Sequence, residues 1–193
     1  MLIWCAWCFR NVLLDGLVFS LLLVRGVNME FRTLKANEID VRVGQVTSKG
    51  AILLLYKDAR CDMNILDETV GAENWQREHY EVKGNMFCRV GIKCANEWVF
   101  KSDCGTESNT EKEKGEASDS FKRACVNWGI GRELYTAPTI LVKTETEKDG
   151  NRYKLKDQYA FYGCRVADIK YNDAREIVSV KIVNRKGEVI YGK

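Results

Sequence analysis

Proline occurs once and histidine once in these 193 residues, and the net charge is only +3. Each scarcity excludes something. With His79 alone, and a CxxC at Cys5 and Cys8 that has no second pair, the ligand spacings of a zinc site are missing. The remaining cysteines, at 61, 88, 94, 104, 125 and 164, are scattered through apolar patterns. They read as reduced, partly buried thiols in a cytoplasmic protein. A charge so near neutral does not announce a polyanionic partner, so a nucleic-acid reading rests on where the cations sit. There is no GxGxxG or Walker loop for nucleotide hydrolysis. A serine–histidine–acid triad would need His79, and no serine stands in a nucleophile-elbow context. Long apolar runs are lacking too. In residues 1–28, Arg10 and Asp15 break the run, and the cleanest piece, Gly16 to Val24, is too short to cross a bilayer. The first cation is Arg10, so the basic start of a secretory signal is absent. We read this segment as an apolar extension ahead of a start at Met29, outside the fold, with a peripheral anchor as the alternative.

What is present is apolar residue in quantity, 46% of the chain, enough for one domain with a real core. The stretch from Thr110 to Tyr135 organises the rest. Thr110 and Glu113 have capping-box spacing. Ala117, Phe121, Ala124, Cys125 and Trp128 form one apolar stripe, and Gly129 and Gly131 end the helix. Lys122 and Arg123 lie off that stripe. Upstream, Ile39, Val41 and Val43 alternate as a strand, with Ile52 to Tyr56 as its hairpin partner. Lys57 to Val70 reads as a helix ended by Gly71. Three strands follow, Trp75 to Lys83, Met86 to Ala95 and Glu97 to Cys104. The middle one puts Met86, Cys88, Val90, Ile92 and Cys94 on one face and Phe87, Arg89, Gly91, Lys93 and Ala95 on the other.

The expected fold is therefore α+β. An antiparallel β-meander packs on one long amphipathic helix in the order β-β-β-α, with a small C-terminal β-appendage. Residues 29–138 form the core domain. Residues 139–193 form a charged linker, Lys143 to Lys156, and strands over Tyr159 to Lys170, Glu176 to Asn184 and Glu188 to Gly192.

Cations and aromatics that could line one surface are Arg42, Tyr56, Arg89, Lys93, Lys122, Arg123 and Arg132. Single-stranded DNA needs lysine and arginine along its phosphates and tolerates any base that can stack or splay. Against this, strands commonly carry Lys and Arg simply as a wet face. Trp75, Trp98 and Trp128 fit a core better than a stacking platform. An enzymatic alternative uses Glu81-Val82-Lys83 with Asp62 or Asp67, a carboxylate-x-lysine pattern of metal-dependent nucleases. The acids Glu111, Glu113, Glu116 and Asp119 are explained by the helix N-terminus they occupy. No catalytic, metal or cofactor site is expected.

The run Lys114-Gly115-Glu116-Ala117-Ser118-Asp119-Ser120-Phe121-Lys122-Arg123-Ala124, closing at Trp128-Gly129, resembles the signature helix of the Rad fifty-two/twenty-two single-strand annealing proteins. Ile65 to Gly71 with Trp75 is similar to that family's helix, glycine and tryptophan. The resemblance covers Arg42 to Tyr135 and looks like the short form found in bacteriophages. It implies a homo-oligomeric ring whose groove holds single-stranded DNA with bases outward, for strand annealing in homologous recombination and double-strand break repair. Lys122 and Arg123 would line the inner DNA site, with Arg42 and Tyr56 as counterparts of a groove arginine and tyrosine. Where the family can carry another arginine, this chain has Val126, so that a weaker grip on DNA, or compensation by Arg132, would follow. A single-strand-binding protein is a candidate partner. No membrane is implied, and the place of work is the cytoplasm of a bacterial host. The remaining alternative is a phage structural or regulatory protein with no affinity for DNA.

Overall fold

Strand pairing dominates the chain. The computed structural model describes residues 29–106 and 112–192. Thr110, half of the expected capping box, and the apolar extension of residues 1–28 lie outside the described residues. Strands β1 (Ile39–Thr47) and β2 (Gly50–Lys57) form a hairpin, with an irregularity between Val43 and Gln45. Helix α1 (Ala59–Val70) starts where the Asp58 carboxylate accepts from the Arg60 amide at 2.6 Å, and it stops at Gly71, whose φ of 85° suits a residue without Cβ.

Next come β3 (Trp75–Val82), β4 (Asn85–Cys94) and β5 (Glu97–Cys104), a three-stranded antiparallel meander. Its alternation is as the sequence predicts. Cys88, Val90 and Ile92 are fully buried, while Arg89 and Lys93 are exposed on the other face. Helix α2 (Lys112–Trp128) lies on the buried face and presses Phe121, Ala124 and Cys125 into it. Polar contacts fix its seat. Glu116 accepts from the Met86 amide at 2.7 Å, and the Trp128 indole donates to the Val90 carbonyl at 3.0 Å.

After α2 the chain makes a 3-10 turn, Arg132–Thr136, then β6 (Ile140–Val142). A hairpin of β7 (Thr146–Asp149) and β8 (Arg152–Leu155) follows, then β9 (Arg165–Tyr171), β10 (Ile177–Val183) and β11 (Val189–Gly192). The largest sheet has six strands in the order β11-β10-β9-β1-β2-β6, and its two edge strands approach each other so that it nearly closes.

This corrects the expected fold class. Among the described residues the chain is mostly β, with two α-helices and a six-stranded sheet, not a β-β-β-α unit packed on one long helix. The C-terminal strands are not an appendage either. Val166, Ile177, Val180 and Ile182 belong to the same buried cluster as Phe31, Leu53, Ile65 and Phe121. The physical reason is twofold: β9 pairs with the free edge of β1, Asp40 opposite Arg165, and the apolar side chains of β9 and β10 find cover in the shared core. Polar bonds stitch the same join. The Tyr171 hydroxyl donates to the Leu34 carbonyl at 2.9 Å, and the buried Glu133 carboxylate accepts from the Leu34 amide at 2.7 Å. The charged stretch expected to be a linker contains the β7–β8 hairpin, laced by Lys154 to Glu147 at 3.2 Å. Among the described residues, no helix is long and apolar enough to cross a membrane.

Candidate nucleic-acid interface

A cleft of about 570 Å³ opens where β2 passes beneath α2 and the turn that follows it. Three elements build it. From β2 come Leu54 and Tyr56, which point to the face of the hairpin away from Leu53 and Leu55. From α2 come Lys122, Arg123 and Val126. The 3-10 turn and its exit contribute Leu134, Tyr135 and Pro138. The cleft is open because β6 pairs with β2 only from Ala51 to Leu53 and leaves the rest of that edge uncovered.

Helix geometry explains the cations. Phe121 is driven into the core, so the next two residues emerge at its margin, where both line the cleft beside β2 and Arg123 also reaches β5 of the meander. The Lys122 side chain is 23% exposed and that of Arg123 is 44% exposed. Each has an acid nearby: Lys122 lies 4.0 Å from Asp119, and the Arg123 Nε donates to Asp103 at 3.2 Å. Partial burial alone would lower the Arg123 pKa; the Asp103 carboxylate outweighs it and holds the pKa above the ordinary value. Pairs this exposed contribute little to stability, so a phosphate can replace the carboxylate at small expense.

At the rim, Arg42 of β1 lays its guanidinium over the Tyr56 ring, 5.1 Å from the centroid. The register pairs Arg42 with Leu54 and Asp40 with Tyr56, which puts both site residues on one face of the hairpin. Tyr56, Lys122 and Arg123 thus line one cleft, and Arg42 joins them through the Tyr56 ring. The other three do not. Arg89 and Lys93 project from the far face of the meander, away from α2. There Arg89 is ion-paired to Glu78 at 2.6 Å and lies over Phe100, and Lys93 stands opposite Trp98. Arg132 turns back to donate to the Val126 and Asn127 carbonyls at 2.9 and 3.2 Å, closing the C-terminal end of α2. Glu81 and Lys83 sit at the exposed β3–β4 turn, and neither lines the cleft.

Sequence reasoning misses Tyr135. It stands at the cleft with 72% of its surface exposed. The only signal is an aromatic one turn beyond the helix-ending glycines.

In the floor of the cleft, which Lys57 helps to line, lies a buried ion pair. Lys57, the last residue of β2, donates to Asp62 of α1, and both side chains are almost wholly buried. The Lys57 ammonium also donates to the backbone carbonyl of Lys122 at 3.4 Å. Burial raises the Asp62 pKa to about 6, although Lys57 and Lys122 pull it down. The other carboxylate oxygen of Asp62 has no hydrogen-bond partner.

The cleft is open, with Lys122 and Arg123 on the α2 side, Tyr56 on β2 and Tyr135 on the turn that follows α2. A family model described as Rad52/22 family double-strand break repair protein matches residues 31–153, and the chain belongs to that family. The match contains every cleft residue and continues past Pro138 into β8. The chain is also similar to the single-stranded DNA-binding protein DdrA of Deinococcus radiodurans, with 36% identity over 90 residues. That stretch is 46% of this chain and 43% of the relative, so it spans less than half of either.

Proposed function

We propose that this chain binds single-stranded DNA along the cleft and promotes annealing of complementary strands in recombination and double-strand break repair. It does so in the cytoplasm, as a homo-oligomeric ring of the bacteriophage type. The observation that carries the reading is the convergence of Tyr56, Lys122 and Arg123 on one furrow, with Arg42 stacked over the Tyr56 ring. The cations take phosphates, and the rings offer π-faces that leave a base's pairing edge free. No bond is made or broken. Holding the backbone with bases presented reduces the entropy lost when two strands align. A ring adds modest local patches into a strong site, which suits a chain of near-neutral charge. A single-strand-binding protein would supply coated strands to such a ring.

The test mixes complementary dye-labelled oligonucleotides with and without the protein. Faster duplex formation with intact strands is expected, together with a closed oligomer by native mass spectrometry. Fragments appearing on addition of magnesium would favour a nuclease instead, and no affinity at all would favour a structural or regulatory role.

Tyr135 gives a finer prediction. Tyr135→Ala should weaken oligothymidylate binding by roughly 1–3 kcal/mol, the range for loss of one stacked base. The salt dependence should stay as in the parent, because every cation that faces a phosphate remains. Titrations at several salt concentrations read both quantities.

A further inference from the structure

We infer that the buried Lys57–Asp62 pair is a positioning device that fixes the spacing between the two walls of the DNA cleft. It rests on that cleft being the DNA site. The geometry is direct. Tyr56 and Lys57 are consecutive on β2, as are Lys122 and Arg123 on α2, and the Lys57 ammonium bonds to the Lys122 carbonyl. One ammonium group therefore joins the residue after the cleft tyrosine to the first of the cleft cations. Asp62 of α1 holds that group from the other side. The Lys57 stem also packs on Gly131: a Cβ built there would lie 2.4 Å from the Lys57 Cε, so only glycine lets the turn leading to Tyr135 settle on it. β2, α1, α2 and the turn thus meet on one charged side chain.

A buried ion pair is weak evidence of stability, since apolar replacement of both partners is often neutral. It is directional, however, and fixes distances that apolar contacts leave loose. That separates positioning from stabilisation. Several groups surround the Asp62 carboxylate. Lys57 faces it from β2, Lys122 and the Cys125 thiol from α2, and Asp58 and the Cys61 thiol from its own helix region. Because burial lifts its pKa to about 6, mild acid neutralises Asp62 and releases its hold on Lys57. The sign for the fold is opposite. A carboxyl whose folded pKa exceeds its unfolded value gains stability as pH falls through the folded value, so lost grip in acid is not unfolding.

The experiment compares the full-length parent with the double variant Lys57→Met, Asp62→Leu, using dye-labelled oligothymidylate from pH 7.5 to pH 5. At pH 7.5 the variant should bind roughly fivefold more weakly, within the range by which residues sharing a contact couple. Its urea midpoint should be no lower than the parent's. By pH 5 the parent's advantage should disappear. His79, which bonds to the Ala117 carbonyl, is present in both proteins and cancels from the ratio. Should the double variant not fold, Asp62→Asn serves, with an affinity ratio to the parent that narrows in the same way. Equal affinity at pH 7.5, or a ratio indifferent to pH, overturns the inference while leaving the cleft reading intact. A parent with no affinity for the oligonucleotide overturns the cleft reading itself.

Discussion

Alanine at both Lys122 and Arg123 should reduce single-strand binding by roughly a hundredfold or more, since hydrogen bonds to charged groups contribute about 1.5–3 kcal/mol each. With two fewer phosphates neutralised, the slope of log affinity against log salt should also become shallower by about 1.4, at about 0.7 per phosphate for single strands. The fold should survive. Both side chains emerge at the margin of the seam that Phe121, Ala124 and Cys125 bury, and their acidic partners are only partly covered. The Lys122 carbonyl that receives Lys57 is backbone and remains in place. The unfolding free energy should therefore move by less than about 0.5 kcal/mol. Parent-like binding at low salt in a well-folded double variant would remove the cleft from consideration.

Phe121→Ala is the contrasting case, one residue away and opposite in kind. The ring is fully buried, 6.1 Å from the Trp75 ring by centroids, with the Arg77 guanidinium 4.7 Å from its centre. Truncation leaves a cavity between α2 and the meander and should lower stability by about 3–5 kcal/mol. Against a total of about 5–15 kcal/mol for a domain, that is a large share, visible as a much lower urea midpoint. A drop below about 1 kcal/mol would mean that the helix is not seated on this ring. The pair of variants separates the two faces of α2: one loses DNA and keeps its fold, the other loses fold.

Local pattern makes much of this legible. The alternation along β4 correctly places Cys88, Val90 and Ile92 inside, and the stripe through Phe121 orients α2. Pattern fails where the partner is distant in sequence. Nothing near Asp40 or Arg165 signals that β1 and β9 will pair, and that contact turns an expected appendage into half of a six-stranded sheet. The β7–β8 hairpin reads as linker because Glu147, Lys148, Lys154 and their neighbours are polar on both faces, leaving no apolar alternation to detect. For the site, spacing marks Lys122 and Arg123 as lying off the stripe, whereas only the family resemblance ties Arg42 and Tyr56 to them. Periodicity assigns Arg89 and Lys93 to the wet face of β4, but it does not say which way that face looks. The pattern of Lys57 to Val70 puts Lys57 at the start of a helix. Its position at the end of β2, buried against Asp62, depends on tertiary packing that no window of sequence contains.

The single proline has a geometric effect well beyond its own turn. Strand β6 begins at Ile140, opposite Leu53, and continuing it backwards would set residue 138 against Leu55 and residue 137 against Tyr56. Pro138 has no amide hydrogen to give, so the ladder stops short of that point. An ordinary residue there would allow the strand to zip onward and roof over the channel. The furrow thus stays unroofed where the imino acid denies β2 the next amide of a neighbouring strand.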